Sequence, residues 1–501
     1  MIVKVLCQFP VGDLRYATSN ITDGDGNWPG KVTAISPISR SIGPDRTYET
    51  SSVTIDFDDT DRFFKSMMSG SNRFIAGKTV ELYTETDDIV YKGTVETWGF
   101  APASFVITVS DKNAGLAKII TQAIARSDFP DCSDEAEGQT IPIIYGSVYQ
   151  DNGAITAYRV ERWKYIVSAH ECYSIESVFD PDGVQIDEND YIEGVEADGF
   201  HYITYVPVGE EPNTLRVNVK GKKNQADYIS TPYEAAVDIL TSNQINYDTD
   251  SLLYTFSIFD LRGYNIAAVF SEETSVQDFF QLFCISFDCD YYISKDMKFK
   301  ISILDPWNLS PAKRFQPSEV NVGKISTNPE GVVQKIRYNY SWSPADKDYR
   351  RKPYFSQENN WPEVKTEALS LRYISLEGNA FDVVQRYALQ KKDPPPSIPI
   401  EIALKDFIEI DIGDLIEVDS PDFVTTPRTL KILRAEIDAG LDIVELDCED
   451  VVGLAGELCI LGKDGMTPDY IEATENEKRY TYLCDQATGQ FSDGTPGKVL
   501  Y

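Results

Sequence analysis

The residues best suited to catalysis are scarce in this chain. Only two histidines, His170 and His201, occur in 501 residues, and neither stands in an HExxH pair or beside a nucleophile-elbow serine or cysteine. Both are expected to be packing residues of a β-rich segment. Gly77-Lys78-Thr79 looks like the end of a phosphate-binding loop, but Asn72 stands where that loop needs its first glycine. The lysine also leads into a strand pattern, where phosphate needs the N-terminus of a helix. Asp23, Asp25 and Asn27 begin a calcium-loop spacing, yet Trp28 occupies the glycine position and Ala34 the final glutamate position. A hairpin tip is the expectation there. Carboxylate pairs abound among 80 acids, and nothing selects one as a glycosidase dyad. Cys448, Cys459 and Cys484 gather towards the end of the chain without the close spacing of zinc ligands. No metal, cofactor or catalytic residue is expected.

Charge excludes another class. Lysine and arginine total 46 against 80 acids, a formal charge of −34, so attraction to a nucleic-acid backbone is not the basis of function. Between Tyr165 and Leu215 twelve acids fall with no lysine or arginine, the composition of a solvated outer domain. The opening MIVKVLCQF lacks the apolar core of a secretory signal, and no apolar run approaches membrane-spanning length. Folding in a cytoplasm is expected, with eight reduced cysteines, many buried as small hydrophobes.

The elements that would position any site show a duplication. GKTVEL from Gly77 matches GDLIEV from Gly413, and FVITVSDKNAGLA (105–117) matches DIVELDCEDVVGLA (442–455) with one residue inserted. In each copy a glycine precedes a period-2 strand, a second strand follows, and a third ends in an aspartate and Gly-Leu-Ala. Val80 and Leu82 in one copy, and Val444 and Leu446 in the other, take the inward positions of half-buried strands. Glu445 and Asp447 take the outward ones. Helices are expected before each copy, at 60–69 and 376–392, and the first domain is expected to close with a helix over 114–126.

Five segments follow. Residues 1–126 and 328–455 each read as a β-barrel domain and 127–230 as an acidic β-domain. Residues 231–327 read as an α+β module with helices starting at Thr231 and Thr274 and a hairpin turning at Lys295–Met297, and 456–501 as an extension that docks elsewhere. Thr231 and Glu234 form a capping box with Pro232 at the first helical position. The expected fold is mainly β with inserted β and α+β domains.

GKTVELYTETDDIVYKGTVE with FVITVSDK, IPIIYGSVY, TPYEAAVDILT, TSVQDFFQLFC and IEIDIGDLIEVDSP, in that order, resemble the tail-hub and tail-tip (baseplate hub) proteins of long-tailed bacteriophages. The resemblance runs from about Ser52 to Leu454. It implies two tube-type barrels per chain and a homotrimer forming a ring of six, between a six-fold tail tube or distal tail protein above and a three-fold tip or fibre protein below. Passing DNA would cross such a ring without specific binding, and carboxylates would line its lumen. Glu409, Asp411, Glu445 and Asp447 are the candidates. Some tail-tip relatives hold an iron–sulfur cluster through C-terminal cysteines, which would fall here on Cys448, Cys459 and Cys484, although their spacing is unlike a ferredoxin run. The expectation is a non-enzymatic virion tail component assembled in the host cytoplasm, without membrane insertion. The alternatives are a tail-associated cell-envelope hydrolase and a host-glycan adhesin acting through exposed Tyr and Trp.

Overall fold

A computed structural model describes residues 2–451 apart from 44–45, 69–73, 112–114, 208, 226, 305–309, 328–330, 358–364, 393 and 424–426. The extension at 456–501 therefore lies outside the described residues. The chain is mainly β, with a sheet that nearly closes into a barrel and another that forms a half-barrel.

The first part contains β1 (Lys4–Phe9), β2 (Gly12–Ala17), β3 (Ile21–Asp23), β4 (Gly26–Trp28), β5 (Val32–Ile35), β6 (Ile38–Ile42), β7 (Tyr48–Glu49) and β8 (Ser52–Asp58). A short helix α1 (Phe63–Met67) then leads to β9 (Thr79–Tyr83), β10 (Ile89–Ala101) and β11 (Ser104–Ser110). Seven of these strands form one sheet in the order β2-β1-β9-β10-β11-β8-β5. The calcium-like acids sit in the β3–β4 hairpin, where Asp23 faces Gly26 and takes Lys4 at 2.7 Å.

In the middle, a ten-stranded sheet is built around the long strand Thr214–Asn224 and carries its own apolar clusters. Strand Ala267–Phe270 pairs with Ile143–Val148 of that sheet, tying it to the helical module. The module's helices are α2 (Pro232–Ser242), α3 (Thr249–Leu261) and α4 (Val276–Phe287), followed by a hairpin of Asp290–Ile293 and Phe299–Ser302. The capping box on α2 forms as the sequence demands. On α4 the cap is Ser275 with Asp278, one residue beyond the expected Thr274 and Gln277, because the Thr274 carbonyl is taken by the Ile120 N–H at 2.9 Å. Helix α3 escapes the sequence reading because apolar side chains surround it: Leu253, Tyr254 and Leu261 remain exposed while Phe256 and Phe259 are buried.

The expected helix over 114–126 does not form. The Leu116 and Lys118 carbonyls accept the first-turn N–H groups of α4, from Gln277 at 2.9 Å and Val276 at 3.1 Å. Ile119 bridges Ser275, and Gln122–Ala123 pairs with Thr140–Ile141. The segment's backbone is needed elsewhere, so its helical spacing of isoleucines loses to tertiary pairing.

The last part contains β12 (Lys313–Phe315), β13 (Val320–Val322), α5 (Glu377–Lys392), β14 (Ser397–Ala403), α6 (Leu404–Phe407), β15 (Leu415–Val418), β16 (Arg428–Asp438) and β17 (Ile443–Asp450). Its sheet runs β12-β15-β16-β17-β14-β13, so strand pairing begins on the N-terminal side of residue 328.

The duplication holds at the level of register. β8 pairs β11 as β14 pairs β17, placing Ile55 on Ile107 and Ile400 on Leu446. The middle strand of each copy carries a bulge at the same place, after Val95 in β10 and after Ile432 in β16. Just before it, the Gly77 N–H donates to the Val95 carbonyl at 2.7 Å and the Gly413 N–H to the Ile432 carbonyl at 2.8 Å. Both glycines are left-handed, with φ of 76° and 83°. Val80, Leu82, Val444 and Leu446 are all buried in the core. One expected equivalence is corrected: the counterpart of α1, which follows β8 and buries Phe64, is α6, which follows β14 and buries Phe407. Helix α5 at 377–392 lies before β14 and has no partner among the described residues of the first copy. Position relative to the paired strands decides the equivalence.

The matched glycines differ in surroundings. A Cβ on Gly77 would meet nothing within 4 Å, whereas one on Gly413 would stand 2.6 Å from Tyr292 Cε1. Gly77→Ala is expected to cost about 1–2 kcal/mol, the left-handed penalty alone. Gly413→Ala is expected to cost clearly more in the same chemical-denaturation experiment, and equal costs would contradict this reading.

Candidate functional site

The two barrels meet through one strand. After β5 only Ser36 and Pro37 intervene before β6, which leaves the first sheet and pairs antiparallel with the second half of β16, Ile38 opposite Ile437 and Ser41 opposite Arg434. β7 pairs back on β6, and the chain re-enters the first sheet at β8. Ile38, Arg40 and Ile42 point inward from β6 and are buried.

Arg40 is therefore a cation inside an apolar strand face, 1% exposed. Its guanidinium binds the Asp411 carboxylate and the Ile293 carbonyl. Burial opposes its charge, but Asp411, Tyr48 and Asp111 hold its pKa above the ordinary arginine value. Tyr48 donates to Asp111, which also accepts from the Ser51 N–H at 2.8 Å and the Ser51 hydroxyl at 2.6 Å. Asp411 further accepts from the N–H groups of Lys295 at 2.9 Å and Ile412 at 2.8 Å. The chain Asp111–Tyr48–Arg40–Asp411 thus links the end of β11, the β6–β7 hairpin, the helical module's hairpin and the second barrel. A second cluster lies beside it: Arg46 reaches Asp288 at 2.6 Å and Asp290 at 3.6 Å, Arg386 of α5 reaches Asp288 at 3.5 Å, and Lys431 of β16 pairs with Asp290. Paired buried ions of this kind fix one arrangement of the parts more than they add stability.

The sequence-derived residues are scattered over this geometry. Asp411 is corrected as a lumen candidate: it is 5% exposed and spent on Arg40, so it cannot face a channel. It and Glu409 lie in the turn between α6 and β15 rather than on a strand. Glu409 is exposed there, 2.9 Å from Lys313. Glu445 and Asp447 do lie on the outward face of β17. Glu445 sits between Glu401 on β14 and Glu436 on β16, three glutamates in directly opposed positions, and Arg434 bridges Glu436 and Asp447. Like charges opposite one another weaken a sheet, so this row is retained at a cost.

Both histidines accept backbone N–H groups, His170 from Ile144 at 2.9 Å and His201 from Cys172 at 3.1 Å. Burial depresses both pKa values, that of His170 to about 4, as a structural acceptor requires. Lys78 stands before β9 with no helix following, so no phosphate cradle forms. Cys448 is buried on the inward face of β17 with Val444 and Leu446, and burial pushes its thiol pKa up. Cys459 and Cys484 lie outside the described residues. Among the described residues no cluster of histidine, cysteine and acid is arranged to hold a metal ion, and six cysteines are free and buried. The residues the sequence reading passed over are Arg40, Tyr48 and Asp111. Their signal was present as a lone arginine between the isoleucines of ISRSI, and as the aspartate that ends the third strand of both copies, Asp111 and Asp450.

No family model matches the sequence, and no curated protein matches it. Among solved structures the chain is similar to the tail protein from Neisseria meningitidis MC58, at 8% identity over 90% of this chain and 98% of that one with a TM-score of 0.44. It is similar to the prophage MuSo2 43 kDa tail protein from Shewanella oneidensis, at 8% identity over 90% and 98% with a TM-score of 0.42. It is also similar to a chain of the virion of a native gene transfer agent particle, at 10% identity over 69% and 90% with a TM-score of 0.48.

Two outcomes are expected at the joint. Arg40→Met, which strands the Asp411 charge, should cost about 3–5 kcal/mol in denaturant unfolding. Adding Asp411→Asn, which removes the stranded charge and keeps an acceptor for one of the two N–H groups, should return part of that loss; strict additivity of the two changes would argue against coupling. Asp414 titrates in the opposite sense from most acids. Burial and then the neighbouring Asp411 push it up to about 6, against an ordinary 3.8. The folded chain thus holds a proton there that the unfolded chain releases, so the contribution is fully present below about pH 4 and is lost as pH rises through 6. Asp414→Asn should gain about 2–3 kcal/mol on the wild type as pH rises between those limits, at about 1.4 kcal/mol per pH unit. A stability difference independent of pH would contradict this assignment.

Proposed function

We propose that this protein is a non-enzymatic structural component of a phage-type tail, a hub or tip ring of three chains presenting six barrel domains. The register-matched duplication carries the reading. A ring meeting a six-fold neighbour with three chains must offer two similar faces per chain, and a relation that passes from one barrel to the next in the same sense generates a closed ring. Here the first barrel hands β6 to the second, which is such a relation.

In this reading one rim docks a tail-tube or distal tail protein and the other a central tip or fibre protein. DNA passes through without specific binding, helped by the charge of −34. Glu445, Asp447 and the exposed Glu409 would face the passage, and the glutamate row across β14, β17 and β16 is the surface best suited to repel a phosphate backbone. The chain would join the virion tail during assembly in the host cytoplasm. No helix among the described residues is long and apolar enough to cross a membrane.

Particles containing this chain, imaged without imposed symmetry, should show three copies and a pseudo-six-fold barrel ring at its level. Six copies or one would defeat the proposal. Glu445→Lys with Asp447→Lys should leave assembly intact and lower DNA delivery at least severalfold, and unchanged delivery would remove these acids from the lumen.

A further inference from the structure

The two barrels differ at one edge. β16 is covered along that edge by β15 over Arg428–Lys431 and then by β6 over Arg434–Ile437. β10 is covered by β9 only as far as Thr94, although it continues to Ala101. With Val95 matched to Ile432 through the bulge, Thr97–Phe100 are the counterparts of Arg434–Ile437. Among the described residues no strand pairs with that side of β10 beyond Val95. The side chains report the same difference. Ala435 and Ile437, under β6, are both 0% exposed, whereas their counterparts Trp98 and Phe100 are 36% and 42% exposed. Both point to the inward side, Phe100 lying 5.2 Å and Trp98 6.5 Å from the buried Phe105 ring. Core-facing aromatics and an open strand edge coincide, on the one copy that lacks an added strand.

We propose that the β10 edge at Thr97–Ala101 accepts a strand from a second copy of this chain, as β16 accepts β6, and that the donor is the strand Tyr354–Ser356. This rests on the ring reading, since the same barrel-to-barrel relation applied again must reach another chain. The donor follows from position. β6 and β7 lie between β5 and β8, and the matching interval between β13 and β14 is 323–396, with β13 on β14 as β5 is on β8. The described residues of that interval include a small sheet whose strand Tyr354–Ser356 pairs on one side with Lys335–Arg337 and carries the exposed Tyr354. Arg337 and Arg351 are exposed beside it and Glu96 is exposed at the β10 bulge, so this donor would bring cations to an edge that carries an acid. Added strands gain main-chain hydrogen bonds, and alternate side chains fill the pockets between them.

The test uses the full chain with p-benzoylphenylalanine in place of Phe100, together with a Trp98→Ser/Phe100→Ser variant. Irradiation of the assembled protein should join two copies, with the captured peptide containing Tyr354–Ser356. The double serine variant should melt with the wild-type monomer and self-associate at least tenfold more weakly in sedimentation. Amides of 97–101 should exchange markedly more slowly in wild-type assemblies than in the monomer. Three-copy assemblies in which those amides stay fast, or in which capture falls elsewhere or on another protein, would overturn this inference and leave the ring reading standing. Particles without three copies would overturn both.

Discussion

The constraint on which the rest depends is a strand that leaves its own sheet. β6 is separated from β5 by two residues, so the first barrel cannot form its β5–β8 edge without also delivering β6 to the second barrel. Arg40 makes that delivery specific. A buried guanidinium in the middle of an isoleucine strand is tolerable only where Asp411 and the Ile293 carbonyl meet it, so a slip of one residue would turn Ile38 and Arg40 outward together and leave the buried Asp411 carboxylate without its cation. The two barrels and the helical module are therefore fixed together before any partner arrives.

That arrangement explains why the polar residues with catalytic potential are spent on architecture. The histidines hold backbone N–H groups, Asp111 holds a hairpin, and Asp288 and Asp290 gather three cations around the start of the Asp290–Ile293 hairpin. The surface carries an excess of carboxylate, most visibly the opposed glutamates 401, 445 and 436, whose mutual repulsion stabilises nothing in the isolated chain.

The sequence was most readable where a residue's role is local. Gly77 and Gly413 announce a left-handed turn before a strand, the alternation in β11 and β17 announces which side is wet, and Thr231-Pro232-Glu234 announces the start of α2. It was least readable where the deciding partner is far away. Isoleucine spacing at 114–126 suggests a helix, and only the need of α4 for acceptors at its N-terminus turns those carbonyls aside. Asp411 follows an alternating pattern that should have made it outward-facing, and it is buried because Arg40, 371 residues earlier in the chain, requires an anion.

By itself the sequence determined that the chain is mainly β, strongly acidic, and built on a unit used twice, because strand periodicity, turn glycines and net charge are properties of neighbouring residues or of their sum. Tertiary structure alone decided how the copies are related: that α6 and not α5 answers α1, that the bulges coincide, that β6 belongs to the other barrel, and that β10 keeps the edge β16 has lost. Those outcomes depend on which distant backbone reaches an open edge first and with which buried charge, and no local pattern of side chains encodes that.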